Sequence, residues 1–426
     1  MGAQKNISLS LIILVILFHT NALKCIAFPH PSRGIKAAYW PSFDAFPASA
    51  IDTSYFTHIY YAFLLPDPNT YKLNVTPFHQ TKIPGFIGAI RAKNPPVKTL
   101  LSTGGGGNDP TVFSKMVSSR ATRQIFIDST IEVARNYGFD GVDLDWEFPA
   151  TAEDMSNLAL LYKQWRKALL DEAKTCRKPP LLLTSAVYYS SKFTYGEPRS
   201  YPVEAIVRYV DWISPMCFDY HGSWENFTGI HSALRDIGNG NLSTHFGIGS
   251  WIEAGVLPSQ LVMGLPLYGR TWKLRDPYVN GIGAPALGVG PGDGAFTYHQ
   301  ILDFNEENNA TVVFDGQTAS FYSYAGDYWI GYDDVQSVRL KILFARSRQL
   351  GGYFFWALGQ DKGWTISSLG KALESPSFVK DRPGILIVTT LPGRDQSNTY
   401  SLEAAQLLVI KAMLSTWAPL VNRIIC

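Results

Sequence analysis

The chain has 426 residues, of which 46% are hydrophobic and 17% are charged, and its formal net charge is +2. This charged share lies below the ~25% typical of soluble domains, so composition excludes disorder over most of the chain and provides for a large core. Because there is no basic excess, we expect no nucleic-acid partner. At ~150 residues per domain, the length predicts two or three domains or one large barrel with additions. Aromatic residues make up 13% of the chain, which suits either stacking against a flat ligand or a large aromatic core.

The first 27 residues predict a secretory signal peptide. Lys5 precedes an apolar run from Leu9 to Phe18, and small residues suitable for cleavage follow at Ala22 and Ala27. The run is shorter than the ~20 apolar residues that a spanning helix needs, although a short membrane anchor is the alternative. We therefore expect a secreted protein, located in the apoplast, cell wall or vacuole.

Four N-glycosylation sequons agree with passage through the secretory route. They begin at Asn74, Asn226, Asn241 and Asn309. Because such tripeptides also arise by chance, they support the secretion hypothesis and predict a glycoprotein without proving either.

The cysteines and histidines predict neither a disulfide framework nor a metal site. The four cysteines are Cys25, Cys176, Cys217 and Cys426, and cleavage after residue 27 would leave an odd number. No pair has metal-ligand spacing, and the eight histidines are scattered. We expect no metal, no cofactor and a monomer.

Eight β-rich runs alternate with helical stretches between about residues 34 and 374. Apolar residues at helical spacing between the fourth and fifth runs, such as Leu158, Leu161, Trp165 and Leu169, illustrate the helical pattern. Eight strand–helix units predict an α/β fold, a (β/α)8 TIM barrel. The eight runs are Ile35–Trp40, His58–Leu65, Lys98–Ser102, Gly141–Trp146, Leu181–Tyr189, Trp212–Phe218, Val262–Leu267 and Gly352–Trp356.

Two segments of the chain depart from the alternation of strands and helices. Residues 273–339, between the seventh and eighth runs, predict a small α+β insertion, which leaves 28–272 and 340–374 as the barrel. Residues 375–426 predict a linker followed by an apolar tail from residue 401. That tail is either an amphipathic helix or the start of a longer product.

The acidic run Asp140–Pro149 carries the strongest chemical signal. In a strand, Val142, Leu144 and Trp146 would point to one face, and Asp143, Asp145 and Glu147 to the other. In a barrel the acidic set faces the interior, where burial and like charges raise at least one pKa. The alternative is an edge strand with a solvated acidic face.

The position of each acid in the strand suggests its role. Glu147 lies at the carboxyl end of the strand, on the catalytic face of a barrel, and is the natural proton donor. Asp145 would share a proton or a hydrogen bond with Glu147, and Asp143 would lie behind as a buried partner.

At this point the sequence resembles glycoside hydrolase family 18, and specifically the plant class V chitinase-like proteins. The acidic run matches the family signature D-x-x-D-x-D-x-E in full, and the resemblance covers about residues 34–374. The other stretches that carry it are Ser102–Gly105, Met216–Asp219, Gly264–Arg270, Trp329–Asp334 and Gly352–Trp356.

The resemblance implies hydrolysis of β-1,4 bonds between N-acetylglucosamine units in chitin or chitooligosaccharides, with retention. In this family the substrate's own acetamido oxygen attacks the anomeric carbon. By resemblance, Glu147 protonates the leaving oxygen and then activates water, while Asp145 orients the acetamido group. Further residues that the resemblance places around the substrate are Trp356 as the floor, Asp219, Met216 and Phe218 in the same subsite, and Tyr268 and Arg270 in flanking subsites. A buried core residue is the alternative for Trp356, and structural packing is the alternative for Tyr268 and Arg270.

One residue departs from the family pattern. Active members have Tyr where this chain has Phe218, and that Tyr donates a hydrogen bond to the attacking acetamido oxygen. Loss of one such donor costs ~3 kcal/mol, or about a hundredfold in rate. Tyr220 and Tyr188 are candidate substitutes. We therefore keep two hypotheses: a chitinase-type hydrolase of reduced activity, and a catalytically inactive chitooligosaccharide-binding protein, lectin-like or receptor-like, on the same fold.

Overall fold

The computed structural model describes residues 34–373, except for Thr194 and Asn239. The expected signal peptide at 1–27 and the expected linker and tail at 375–426 lie outside the described residues. The described residues from Gly34 to Gly370 belong to one compact unit. No helix among the described residues is both long and apolar enough to cross a membrane.

The described residues contain two sets of strands, numbered together in chain order. The strands are β1 (Ile35–Pro41), β2 (His58–Leu64), β3 (Lys98–Gly104), β4 (Gly141–Asp145), β5 (Leu182–Tyr188), β6 (Trp212–Met216), β7 (Val262–Pro266), β8 (Tyr268–Leu274), β9 (Ala286–Val289), β10 (Ala295–Thr297), β11 (Thr311–Asp315), β12 (Ser320–Ala325), β13 (Tyr328–Tyr332) and β14 (Gly352–Trp356).

Eight parallel strands form a nearly closed barrel, which confirms the predicted (β/α)8 fold. In space they follow the order β6-β5-β4-β3-β2-β1-β14-β7. A parallel bridge between Ile213 of β6 and Leu261, which precedes β7, joins the two ends of this sheet.

Helices cover the outside of the barrel. The longest, Ala152–Cys176, begins at a capping box in which Thr151 and Asp154 exchange side-chain-to-backbone hydrogen bonds. It buries the predicted apolar stripe at Leu158, Leu161, Trp165 and Leu169. The other helices are Pro77–Arg91, Pro110–Val117, Arg120–Tyr137, Val203–Tyr209, Thr244–Glu253, Tyr298–Glu307, Val335–Ser347 and Leu369–Ala372, with short 3-10 turns at Ala48–Ala50, Thr53–Tyr55, Pro258–Gln260 and Gly292–Gly294.

The predicted α+β insertion between the last two barrel strands is a second, antiparallel sheet with one helix, Tyr298–Glu307. This sheet contains strands β8 to β13. Its first strand begins at Tyr268, before the predicted boundary at residue 273, because the chain passes from β7 into this sheet through Leu267 alone.

Side chains of β4 and of the residues just beyond it point to opposite sides of the barrel wall. Trp146, just beyond the strand, stacks outward on Phe113 of helix Pro110–Val117, with ring centroids 5.8 Å apart. Asp143 points inward, where Tyr39 of β1 donates a hydrogen bond to it. The alternation read from the sequence therefore places the carboxylates in the interior rather than on a solvated edge.

Candidate active site

Asp143 is fully buried and accepts three hydrogen bonds. The hydroxyls of Ser102, Thr184 and Tyr39 donate to its carboxylate at 2.7, 2.6 and 3.0 Å. Burial raises the pKa of Asp143, and the three hydroxyl donors act against that rise. These donors come from three different strands, so Asp143 ties together β1, β3, β4 and β5.

Asp145, two residues further along the same face, lacks such partners. It is 4% exposed, and its Oδ1 atom makes no hydrogen bond to any described residue. Burial and the negative charges of Glu147 and Asp143 raise its pKa well above the usual range. The expected direct hydrogen bond between Asp145 and Glu147 is not among the contacts of the described residues. A buried oxygen without a partner is costly, so Asp145 is poised to accept from a ligand.

Glu147 follows β4 at the carboxyl end of the barrel and is half-buried. Burial, and then the negative charge of Asp219, raise its pKa to about 7, while the backbone N–H of Gly106 acts in the opposite direction. A carboxyl group with this pKa holds a proton near neutral pH and can also release it, as a general acid and base must. The backbone of Gly106 lies close to the carboxyl group of Glu147. A Cβ at position 106 would lie 3.1 Å from Oε2 of Glu147.

Asp219 lies beyond the end of β6 and is held by two residues of the insertion. Tyr268 donates its hydroxyl to Oδ1 at 2.7 Å, and Arg270 donates to both oxygens, from Nε at 2.8 Å and from Nη2 at 2.7 Å. Burial raises the pKa of Asp219, but the interactions with His231 and Arg270 outweigh it and bring the pKa well below its usual range. Asp219 is therefore an anion at neutral pH.

Apolar side chains form the floor and wall beside these acids. Trp356, at the end of β14, stacks on Phe63 with ring centroids 5.7 Å apart and planes 20° apart. Met216 and Phe218 also pack against the apolar cluster of the barrel interior. The side chains of Trp356, Met216 and Phe218 are half-buried, so part of each remains available to a ligand.

Of the two candidate substitutes for the missing hydroxyl, one has its hydroxyl paired elsewhere and the other stacks on a neighbouring ring. Tyr220 is buried, and its hydroxyl pairs with Thr244 Oγ1 at 3.1 Å. The ring of Tyr188 stacks on Phe193 with ring centroids 4.4 Å apart. Phe218 itself has the rings of Tyr268 and Phe354 as neighbours.

The structure thus brings every predicted site residue to one end of the barrel or its interior. Sequence reasoning did not single out Gly106, Tyr39 or His231. The run of glycines from Gly104 to Gly107 was a usable signal for close backbone approach, since it directly follows a strand. The sequence around Tyr39 and His231 carries no comparable signal, because their contacts join distant parts of the chain.

A comparison with protein families gives a match to "Glycosyl hydrolases family 18" over residues 36–361. The chain is 52% identical over 377 residues to "Class V chitinase CHIT5a" of Medicago truncatula, covering 86% of this chain and 98% of the relative. It is 48% identical to "Nod factor hydrolase protein 1" of the same organism, covering 79% of this chain and 89% of that protein.

Solved structures agree with this family. A mutant of the class V chitinase from Nicotiana tobaccum, in complex with NAG4, matches with a TM-score of 0.77 and 38% identity over 80% of this chain and 98% of its own. The chitinase-like agglutinin of Robinia pseudoacacia matches with a TM-score of 0.73 and 38% identity over 79% of this chain and 98% of its own. With the acidic strand, the barrel and the insertion in place, the chain belongs to family 18 of the glycosyl hydrolases.

Proposed function

We propose that the protein is a secreted chitinase-type glycosidase that cleaves β-1,4 bonds between N-acetylglucosamine units with retention at the anomeric carbon. Two neighbouring acids carry this proposal. Glu147, just beyond β4, has a pKa raised to about 7, and the buried Asp145 at the end of β4 has an Oδ1 atom without a hydrogen-bond partner among the described residues. The class V chitinases among its relatives, one of them solved with NAG4, support the choice of substrate.

The chemistry proceeds in two steps. In the first, Glu147 gives its proton to the glycosidic oxygen as that bond breaks, while the substrate's acetamido oxygen forms a bond to the anomeric carbon. In the second, the Glu147 carboxylate takes a proton from a water molecule, and that water's oxygen replaces the acetamido oxygen. Glu147 ends protonated, as it began.

Asp145 supports the positively charged intermediate in this scheme. Its unpaired Oδ1 accepts the N–H of the acetamido group, which aims the carbonyl oxygen at the anomeric carbon. The carboxylate also stabilises the positive charge that develops on the ring formed by this attack. Asp143 behind it, held by three hydroxyl donors, fixes the position of this part of β4.

The remaining side chains form the sugar site. Trp356 presents an aromatic face for the apolar side of the reacting sugar, with Met216 beside it. Asp219, Tyr268 and Arg270 form a fixed polar group that binds hydroxyl and carbonyl groups of the substrate.

A binding protein without turnover is the second candidate, and Phe218 is the observation that favours it. The site has the acid and its Asp partner but lacks the hydroxyl that would stabilise the attacking oxygen. The agglutinin among the similar structures is named for binding rather than for hydrolysis.

Incubation with chitin oligomers of several lengths, followed by product analysis, separates the two candidates. We expect cleavage with retention, and the Glu147→Gln variant should abolish it while oligomer binding persists, because only the proton donor is lost. Unchanged turnover in that variant would exclude Glu147 as the acid. Binding without any turnover by the unaltered protein would establish the second candidate.

Secretion is a separate part of the proposal. The asparagines of all four sequons, at positions 74, 226, 241 and 309, are exposed and therefore can carry glycans. Mature protein collected outside the cell should begin near Leu23 or Phe28 and carry N-glycans. N-terminal sequencing that finds an intact Met1 would contradict this prediction.

A further inference from the structure

His231 lies directly beside Asp219 and is completely buried. Its Nε2 atom faces the carbonyl oxygen of Tyr268 at 3.2 Å, and its Nδ1 atom faces Oδ1 of Asp219 at 3.5 Å. Both ring nitrogens therefore point at oxygen atoms that can only accept, since Asp219 is ionised. A neutral imidazole has one N–H and can satisfy only one of them.

The two contacts of the His231 ring differ in geometry. The Nε2 contact has the geometry of a hydrogen bond, whereas Nδ1 makes none with any described residue. We therefore assign the neutral ring an Nε2–H that donates to Tyr268, with the Nδ1 lone pair turned towards the carboxylate. A second proton, on Nδ1, would convert this repulsive approach into a charge-assisted hydrogen bond.

The backbone of His231 also supports Asp219. Asp219 has a φ of 59°, in the left-handed region that non-glycine residues seldom adopt. Such a conformation persists only where the surroundings enforce it. The next peptide N–H, that of Tyr220, donates to the carbonyl oxygen of His231 at 2.9 Å, which fixes the chain immediately after Asp219.

The segment that carries His231 is itself anchored in the core. Ser232 donates its hydroxyl to Asp333 at 2.8 Å, and Lys341 donates to the carbonyl oxygen of Ser232 at 2.5 Å. Lys341 also forms a buried ion pair with Asp333. The backbone at His231 is therefore held in place by buried contacts. A change in the hydrogen bonding of the ring consequently affects Asp219 and does not simply move the loop.

We propose that His231 is a positioning residue for Asp219, and that it holds the carboxylate fully only when both ring nitrogens carry protons. The kinetic consequence rests on the proposed glycosidase function, because Asp219 is the anion whose charge acts on Glu147. His231 acts through Asp219 and performs this role without contacting the substrate.

The charges around the ring determine the pH at which His231 binds its second proton. Burial lowers the pKa of His231 and the positive charge of Arg270 acts in the same direction, whereas Asp219 and Asp333 raise it, with a net lowering. Lys341 neutralises Asp333 from the helix Val335–Ser347. The second proton therefore binds on the acid side of the ordinary histidine range. As pH falls, a larger fraction of the protein has the charge-assisted hydrogen bond from Nδ1 to Asp219.

The test combines ring-nitrogen NMR with kinetics. In protein labelled with 15N-histidine, the His231 resonances, assigned by their loss in His231→Gln, should show one protonated nitrogen at neutral pH and two in acid. Wild type, His231→Gln and His231→Phe are then compared in kcat and KM on a chitin oligomer from acid to neutral pH. His245→Gln, the same change on helix Thr244–Glu253, serves as the matched control.

Glutamine can donate one hydrogen bond but cannot carry a charge, so His231→Gln should stay within about threefold of wild type in kcat at neutral pH. In acid, where only the wild type forms the second, charged hydrogen bond, the difference should grow to about tenfold. His231→Phe should be impaired at every pH, and His245→Gln should match wild type throughout.

A ratio of wild type to His231→Gln that is constant with pH would overturn the proposal and leave His231 a purely structural residue. So would an imidazole ring that keeps a single proton until the protein unfolds in acid. If the protein binds oligomers without cleaving them, the proposed glycosidase function fails, but the NMR titration and the pH dependence of oligomer affinity in wild type and His231→Gln still decide the role of His231.

Discussion

Replacement of Phe218 by tyrosine should raise the catalytic rate if the proposed chemistry operates. The new hydroxyl would act only as the acetamido oxygen develops charge, so it should raise kcat more than it lowers KM. One preorganised donor contributes about 2.7 kcal/mol at the low end, which is about a hundredfold in rate.

The surroundings of Phe218 reduce that gain. The rings of Tyr268 and Phe354 lie 6.2 and 6.1 Å away, and a Cβ on Gly264 would lie 2.9 Å from Cε1 of Phe218, so the wall is closely packed. Desolvation of a hydroxyl that lacks a partner in the free protein costs about 1 kcal/mol at least. We therefore expect a net gain of roughly ten- to a hundredfold in kcat, together with a small loss of stability.

The assay measures kcat and KM on chitin oligomers of several lengths, with thermal stability measured alongside. The double variant Phe218→Tyr with Glu147→Gln is the control, and it should be inactive because the added donor cannot replace the acid. A stable Phe218→Tyr protein with no gain on any oligomer would refute the reasoning. Another group would then already stabilise the attacking oxygen, or the site would not serve hydrolysis.

Three further outcomes follow from the site and its support. With Glu147 as a general acid of pKa about 7, kcat/KM should fall in a pH–rate profile as pH rises through about 7. Asp219→Asn removes a negative charge that raises this pKa, so in that variant the fall should occur at lower pH. Gly106→Ala should lower kcat/KM about tenfold with little change in melting temperature, because its Cβ would lie 3.1 and 3.2 Å from the two carboxylate oxygens of Glu147, whereas Gly107→Ala meets nothing within 4 Å and should be neutral. Lys341→Met should lower the free energy of unfolding by about 3–5 kcal/mol in denaturant titrations, because it leaves a buried carboxylate unpaired.

The fold and the acidic strand were predictable because both rest on local periodicity. The run from Val142 to Phe148 alternates strictly, and the alternation assigns Asp143 and Asp145 to the interior of a barrel. The eight barrel strands likewise appear as short β-rich runs, and each predicted run overlaps the observed strand. The start of the insertion at Tyr268 was not predictable, since only Leu267 separates β7 from β8 and leaves no loop to mark the change of sheet.

The electrostatic differences between the acids depend on contacts that the local sequence does not contain. Asp143 is stabilised by hydroxyls that lie 104 residues before it at Tyr39 and 41 residues away at Ser102 and Thr184. The hydrogen bond expected between Asp145 and its neighbouring acid rested on their spacing, and spacing does not determine side-chain direction. The support of Asp219 by a histidine also lay beyond sequence reasoning, because a lone histidine some way further along the chain carries no recognisable pattern.

Three carboxyl groups, two in β4 and one just beyond it, therefore differ in their surroundings. Asp143 is surrounded by hydroxyl donors and holds four strands together, so its position, and hence that of β4, is fixed. Asp145 is buried, and its Oδ1 accepts no hydrogen bond from any described residue, so it can accept one from a ligand. Glu147, half-buried at the rim, is exposed to the charge of Asp219 and keeps its proton near neutral pH. We therefore expect a single substitution in the surrounding shell, rather than in the acids, to change the reactivity of this site, and Phe218→Tyr tests that expectation.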